Sequence, residues 1–460
     1  MRPETSGDGF FTTFLALPEA LGIFFGAKRR FRWADRSAIE AYQLRRAVSI
    51  ARRAAREVPF FRRHHAGRDP RDFFTLPSVS KRDMMANLDD FTTTGYSGKA
   101  ILDFCLENEK TRDFGRRLGG YVCVLSTGTS GSRGVEIVSP REELLLKAAF
   151  LARFPFVPGE GLRAAFILRV FSPGLRFDHF GHRVEYVDPL VPFPEMAARI
   201  DAIGPNLISG PPQVLKLLAL EKLAGRLEAA PKRLVSYGET LWPDVRSLIE
   251  GAFGCRVDEI YKCTEAAVAM PCREGRLHVN EDLVLLEVLD VEGRPAPPGT
   301  PSSRLLVTDL LKRSCPIIRH ELNDIVTISP EPCPCGSSFR VIESIQGRVD
   351  DTFYFPALGG GSLLPFLPDF VARAVVSSLP EALEWCAIQE APDRVLVRVE
   401  TGGDGPEQAH VAALSVRLAE AFLASGCEPP EIRVEEGSTG AGDLERKFRR
   451  VRRDFALPEN

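Results

Sequence analysis

Apolar positions recur three and four residues apart between Ile39 and Val58: Leu44, Ala47, Val48, Ala51, Ala54, Ala55 and Val58, with arginines between them. That spacing predicts an amphipathic helix, which Pro59 is expected to end. Downstream, short apolar runs alternate with longer helical patterns. Tyr121–Leu125, Ala164–Phe171, Arg233–Ser236 and Leu305–Thr308 read as buried strands, with Glu142–Phe150 and Pro212–Leu223 as helices between them. The alternation predicts an α/β fold. After Gly347 the pattern changes. Glu384–Gln389 and the strictly alternating Asp393–Glu400 flank an Ala391–Pro392 turn; Val411, Leu414, Leu418 and Phe422 mark a helix, and Glu431–Val434 a last strand. We therefore expect a large N-terminal α/β domain over residues 1–347 and a small α+β C-terminal domain over residues 348–460, hinged near Arg348–Asp351. Residues 1–38 are left unassigned within the first.

Phe10 to Ala27 is apolar enough to raise the question of a leader or membrane span. Glu4 and Asp8 precede it, however, and Pro18–Glu19 interrupts it. A secretory leader needs a positive start, and a span needs about 20 uninterrupted apolar residues. The expectation is a packed or interfacial segment of a cytoplasmic protein without a transmembrane helix.

Composition narrows the function. The 59 basic and 62 acidic residues leave a net charge of −3, which argues against nucleic acid held by phosphate neutralisation. Only 11 of the basic residues are lysine, so each lysine merits attention. Ten cysteines in 460 residues are not a disulfide scaffold. Most sit alone among apolar neighbours, as buried thiols do; Cys333-Pro334-Cys335-Gly336 is the exception.

The most informative stretch is Tyr121–Gly134, YVCVLSTGTSGSRG. A strand delivers the chain into Ser126, Thr127, Gly128, Thr129, Ser130, Gly131, Ser132, Arg133 and Gly134. Glycines let successive backbone N–H groups turn toward one anion, and the hydroxyls add donors. The P-loop pattern fails for want of its lysine. A phosphate-binding loop and a plain Ser/Gly turn both suit the residues taken alone.

This stretch resembles the phosphate-binding signature of the adenylate-forming superfamily of acyl-CoA synthetases and ligases. Further matches follow in order, with the character of the phenylacetate–CoA ligase branch: Val58-Pro59-Phe60-Phe61, Leu76–Asp83, Ser236-Tyr237-Gly238-Glu239, Tyr261-Lys262-Cys263-Thr264-Glu265, Pro316-Ile317-Ile318-Arg319 with Asp324, and Gly347–Asp351. Three weaker runs, Lys81–Thr94, Thr111–Phe114 and Gly275–Asp282, resemble uncharacterised adenylate-forming proteins related to archaeal synthetases that adenylylate a deazaflavin coenzyme.

The resemblance implies ATP and Mg2+ as cofactors, a small mobile C-terminal lid, and roles residue by residue. Ser126, Thr127, Gly128, Thr129, Ser130 and Gly131 would cradle phosphates. Thr129 and Glu265 would serve the Mg·ATP site, with Glu265 as the metal-linked carboxylate. Gly238, Glu239 and Tyr261 would surround adenine, Asp324 would accept from the ribose hydroxyls, and Arg348 would join the nucleotide site. Asp350 would be the hinge pivot. Lys447, in DLERKFRRVRR, is the sole lysine after Lys312 and so the candidate adenylation lysine; a solvated basic helix or tail is the alternative. Gly359-Gly360-Gly361 resembles a stretch lining a pantetheine tunnel, which gives CoA modest support, but a surface loop explains it equally well.

Where this chain departs from the family, Lys262 stands in place of a glycine, either as an anion contact for the acid or as a salt-bridged residue. His320 and Asn323 replace a more familiar tyrosine and glycine. Phe166, Phe171, Tyr237 and Ala266–Ala269 are candidates for an apolar acid pocket or for plain core.

Two thiolates on one tight turn half-fill a tetrahedral zinc. With Cys272 and His278 upstream, Cys333 and Cys335 make a closed Cys3His set for a structural Zn2+. Free thiols are the alternative, and Cys263 is an alternative ligand. The expected activity is ATP-dependent activation of a carboxylic acid as an acyl adenylate, then transfer to CoA. Its competitors are adenylylation without a thioester, acyl transfer to an amine, or a non-catalytic nucleotide-binding protein. Expected partners are the acid, ATP and CoA; a homodimer is left open.

Overall fold

The computed structural model describes residues 7–126, 133–153, 161–168, 178–179, 181–348, 351–403, 405–443, 447–455 and 457. Two compact units divide the chain: Met1–Leu322 with Val326–Ser344, and Asn323–Ile325 with Ile345–Asn460.

The large unit is built on five parallel strands in the order His182–Val187, Arg163–Ile167, Leu207–Gly210, Arg233–Tyr237 and Val257–Lys262. Helices Phe193–Ile203, Pro212–Leu223 and Pro243–Phe253 connect successive strands, since parallel strands need a crossover of about a dozen residues. The strands read as apolar runs because both faces are covered; Leu207–Gly210 is buried throughout. Beyond Val257–Lys262 the sheet turns antiparallel through Ala267–Pro271, Leu277–Val279 and Val341–Arg348, with Asp324–Ile328 at its edge. A separate hairpin pairs Val122–Leu125 with Val135–Val138.

The helix expected over Ile39–Val58 runs Arg36–Glu57, capped by Asp35, whose side chain accepts from Ala38 N. Pro59 ends it and at once opens a second helix, Pro59–His64, as a proline at the first helical position can. The N-terminal segment is one helix, Gly7–Trp33, with Pro18 inside it. It packs on helix Pro140–Arg153. Ala16, Ala20 and Ala27 are buried, while Leu17, Leu21, Phe25 and Trp33 are exposed. Among the described residues no helix is long and apolar enough to cross a membrane.

The smaller unit has a four-stranded sheet ordered Glu431–Glu436, Arg394–Glu400, Glu384–Ala391, Val451–Arg453. Helices Pro368–Ser378 and Gln408–Ala424 and a hairpin, Phe353–Pro356 with Leu363–Phe366, complete it. Phe353, Phe355, Phe366 and Phe422 are fully buried and pack ring to ring. The whole molecule is mixed α/β, as the sequence pattern predicts.

Candidate active site and Cys/His cluster

In a parallel sheet, ligands bind beyond the carboxyl ends of the strands. Strands Arg233–Tyr237 and Val257–Lys262 lie side by side, Tyr237 opposite Ile260. Their carboxyl ends carry Gly238 and Glu239 on one and Tyr261 to Glu265 on the other. Gly238 has φ +81°, a conformation suited to glycine.

The stem of the Ser/Gly loop adjoins this edge. Ser126 N and Gly134 O bond at 2.8 Å, and Ser126 Oγ accepts from Gly134 N at 2.8 Å. Arg133 donates Nε to Ser126 O at 2.7 Å and its guanidinium to the Glu109 carboxylate. The loop is thus the connector of the Val122–Leu125/Val135–Val138 hairpin, clamped at its base. A Cβ at Gly134 would sit 3.2 Å from Glu265 Oε1 and from Lys81 Cε, so glycine allows the backbone to approach both. Thr127, Gly128, Thr129, Ser130 and Gly131 lie outside the described residues, as does Asp350.

Glu265 is 3% exposed, and its Oε1 has no hydrogen-bond partner. Lys81 Nζ stands 3.4 Å from it and His320 Nε2 3.7 Å. Burial raises the Glu265 pKa, but the charges of His320 and Lys81 outweigh it and hold the group below its ordinary value. Burial lowers the pKa of His320, leaving Lys81 as the lasting positive charge. An unfilled carboxylate acceptor beside a phosphate-type loop fits a Mg2+ ligand.

Sequence alone assigns this role to neither Lys81 nor His320. Lys81 opens helix Lys81–Ala86, capped by a Ser80/Asp83 capping box. Val79 pairs with His320 as an isolated parallel bridge, and Val79 N donates to Arg319 O while Glu321 N donates to Val79 O. This bridge carries both side chains to Glu265. Arg319, at φ +45°, fixes the junction. Its guanidinium donates to both Glu287 oxygens at 3.0 and 2.9 Å, to Phe74 O at 2.6 Å and to Leu76 O. Lysine scarcity is the available signal for Lys81.

Lys262 is salt-bridged. Its Nζ lies 3.1 Å from Glu136 Oε2, and Lys312 Nζ lies 3.1 Å from Oε1 of the same group. Lys312 also donates to Glu265 O at 2.9 Å. Burial opposes ionisation of Glu136, but the two lysines pull its pKa down to about 2. The apolar-pocket candidates among the described residues are largely core: Phe166 packs on Ala164, Val184, Leu207 and Val235, and Ala266, Val268 and Ala269 are buried. Tyr237 donates its hydroxyl to Ile167 O.

In the smaller unit, Asp324 opens strand Asp324–Ile328 and its Oδ1 lies 3.7 Å from Arg348 Nε. Lys447 is not on a solvated helix. Phe448 beside it packs on Cys386, Ile388 and Leu396; Arg450 is buried on Glu384 at 2.7 Å; and Val451–Arg453 pairs in parallel with Ala387–Gln389. Gly359, Gly360 and Gly361 turn the 353–366 hairpin, all at positive φ, and no atom lies within 4 Å of a Cβ built on any of them. Within the protein itself, backbone conformation accounts for these glycines.

Cys272, His278, Cys333 and Cys335 come together, their ligand atoms all within 4.8 Å of one another. Cys263 takes no part; its thiol faces Ala266 O at 3.4 Å. The Gly275–Asp282 run is structural at its acidic end, where Glu281 accepts from Arg36 at 2.6 Å and Arg340 at 2.7 Å.

No family model matches the chain. A phenylacetate-coenzyme A ligase of Thermus thermophilus is 28% identical over 190 residues, 39% of this chain and 42% of that protein's length. The chain thus matches less than half the length of that relative. Among solved structures, a 2-hydroxyisobutyryl-CoA ligase in the postadenylation state with R3-HIB-AMP superposes with TM-score 0.66 at 20% identity, over 93% of this chain and 91% of that one. An anthranilate CoA ligase with anthranoyl-AMP superposes with TM-score 0.51 at 15% identity, over 70% of this chain and 66% of that one. The chain thus shares the fold of these CoA ligases and a local sequence match with the phenylacetate-coenzyme A ligase.

Proposed function

We propose that the chain activates a carboxylic acid with ATP and passes the acyl group to CoA. The observation that carries this reading is Glu265: a buried carboxylate with an unfilled oxygen, at the carboxyl edge of the parallel sheet and against the stem of the Ser/Gly loop. The chain's fold relatives, CoA ligases bound to acyl adenylates and in two structures also to CoA, support the same reading.

In the first step an acid oxygen attacks the α-phosphorus of ATP, the bond to the β-phosphate oxygen breaks, and pyrophosphate leaves. A carboxylate nucleophile needs no general base. It does need positive charge and donors where negative charge gathers. Magnesium held at Glu265 would supply part of that by neutralising phosphate oxygens. Lys81 keeps Glu265 ionised and ready for it, the Ser126–Gly134 clamp holds the loop base that carries Thr129, and Lys447 would contribute a cation to the reacting phosphate. Gly238, Glu239 and Tyr261 would surround adenine, and Asp324 would receive the ribose hydroxyls with Arg348 beside it. In the second step the CoA sulfur attacks the acyl carbon, its thiol proton is lost, and AMP departs with the electrons of the acyl–phosphate bond. A rotation of residues 348–460 about Asp350 would separate the two steps.

Pyrophosphate release over a panel of carboxylic acids, with and without CoA, tests the proposal. CoA-dependent turnover with at least one acid is expected. Release without CoA consumption would redirect the second step to AMP transfer or to an amine. No release with any acid, from protein shown to bind ATP, would overturn the enzymatic reading.

A further inference from the structure

We propose that Cys272, His278, Cys333 and Cys335 bind one zinc ion in a closed structural site, and that this ion fixes the C-terminal end of the N-terminal helix. The four ligands come from two turns and a strand. Cys272 opens a turn closed by Gly275 N donating to Cys272 O at 2.9 Å, and His278 lies on the returning strand opposite Met270. Cys333 and Cys335 share a turn closed by Gly336 N donating to Cys333 O at 3.1 Å.

The distances fit a metal tetrahedron. With zinc–sulfur bonds of about 2.3 Å and zinc–nitrogen bonds of about 2.0–2.1 Å, its edges are about 3.8 Å between sulfurs and about 3.5 Å from sulfur to nitrogen. Cys272 Sγ and Cys333 Sγ are 3.7 Å apart, and Cys335 Sγ and His278 Nε2 are 3.4 Å apart. A disulfide would need about 2.0 Å. The His278 ring is held at 2.9 Å by Phe339 O, which takes the Nδ1 proton and leaves the Nε2 lone pair facing the sulfurs. Four protein ligands leave no position for a reacting water, so the ion would hold structure and do no chemistry.

Two aromatic rings connect the cluster to the N-terminal helix and to a buried arginine. Phe31, in the last turn of helix Gly7–Trp33, packs edge-on against His278 at 5.2 Å and Phe339 at 5.4 Å. The Arg153 guanidinium lies 4.1 Å from the Phe31 ring and 4.7 Å from that of Phe339, with Asp282 also 3.5 Å from it. Phe31 is therefore seated between a zinc ligand and a buried cation. Loading the metal sets the imidazole on which the helix end rests.

Metal analysis of the purified full chain should find one zinc per chain. Stripping it and adding Co2+ should give thiolate-to-cobalt charge-transfer absorption and the strong visible bands of tetrahedral cobalt. Cys333→Ser with Cys335→Ser should abolish both signals, and His278→Cys should keep the metal as a four-sulfur site. Limited trypsin digestion should cut residues 28–32 several-fold faster after stripping, and Phe31→Ala should reproduce that while zinc content stays at one. Absence of zinc together with no tetrahedral cobalt spectrum in the wild-type chain would overturn the site, whether or not the variants fold. An unchanged cleavage rate after confirmed zinc loss would overturn the anchoring of the helix.

Discussion

Lys447→Ala should slow acyl-adenylate formation by about 10²–10³, the usual cost of removing one preorganised charge from a transition state. Its neighbours Phe448 and Arg450 are held by packing and by Glu384, so the melting temperature should hardly change. Pyrophosphate-release rates beside a thermal melt check both halves. The two lysines on Glu136 should behave differently from each other. Lys312→Met removes the buried partner of Glu136, leaving it only half-exposed Lys262, and should cost about 3 kcal/mol in urea unfolding. Lys262→Ala removes a half-exposed partner and should cost under about 1 kcal/mol, with the KM for the acid unchanged because its ammonium is committed to Glu136. The scarcity of lysine draws attention to Lys262 but cannot name its partner. Glu136 lies 126 positions away on a hairpin strand, and that pairing leaves no periodic trace in the sequence. The same kind of distance hides Lys81 and His320, brought to Glu265 by one bridge between residues 79 and 320.

That bridge rests on Arg319. Arg319→Lys should destabilise the large unit by about 2–4 kcal/mol, since one ammonium cannot meet both oxygens of Glu287 and two carbonyls in a planar fork; urea midpoints of the two proteins measure it. Adenylate formation should also fall, through displaced Lys81. The element patterns that sequence exposes best are the long ones. Pro212–Leu223 ends as predicted, and the helix expected over Ile39–Val58 is shifted by three residues at its start. Short elements governed by distant pairing are the ones it hides. Val451–Arg453 sits in a charge run too brief to show alternation, and only its parallel partner at Ala387–Gln389 makes it a strand. The N-terminal helix hides for a different reason: from residue 16 onward its fully buried positions are alanines, weaker in any hydropathy count than the leucines and phenylalanine exposed there.

At the level of the whole chain, acid should weaken the fold from about pH 6.5 downward. His65 is buried and both its ring nitrogens lack partners; burial, with some help from His64, pushes its pKa down to about 4. A group depressed in the folded state binds its proton first in the unfolded chain. The stability it provides is therefore complete above pH 6.5 and lost as pH falls toward 4, by roughly 3 kcal/mol in all. His65→Phe should flatten the fall in melting temperature across that window; an unchanged slope would assign the acid sensitivity elsewhere. The smaller unit offers a different handle. Its sole ε-amine is that of Lys447, so amine-reactive reagents report on that one position there. A lysine-specific protease, likewise, has a single cut available to it beyond Lys312. Peptide mapping after labelling, with and without nucleotide, can thus follow one chemical group in a 460-residue chain without any substitution at all.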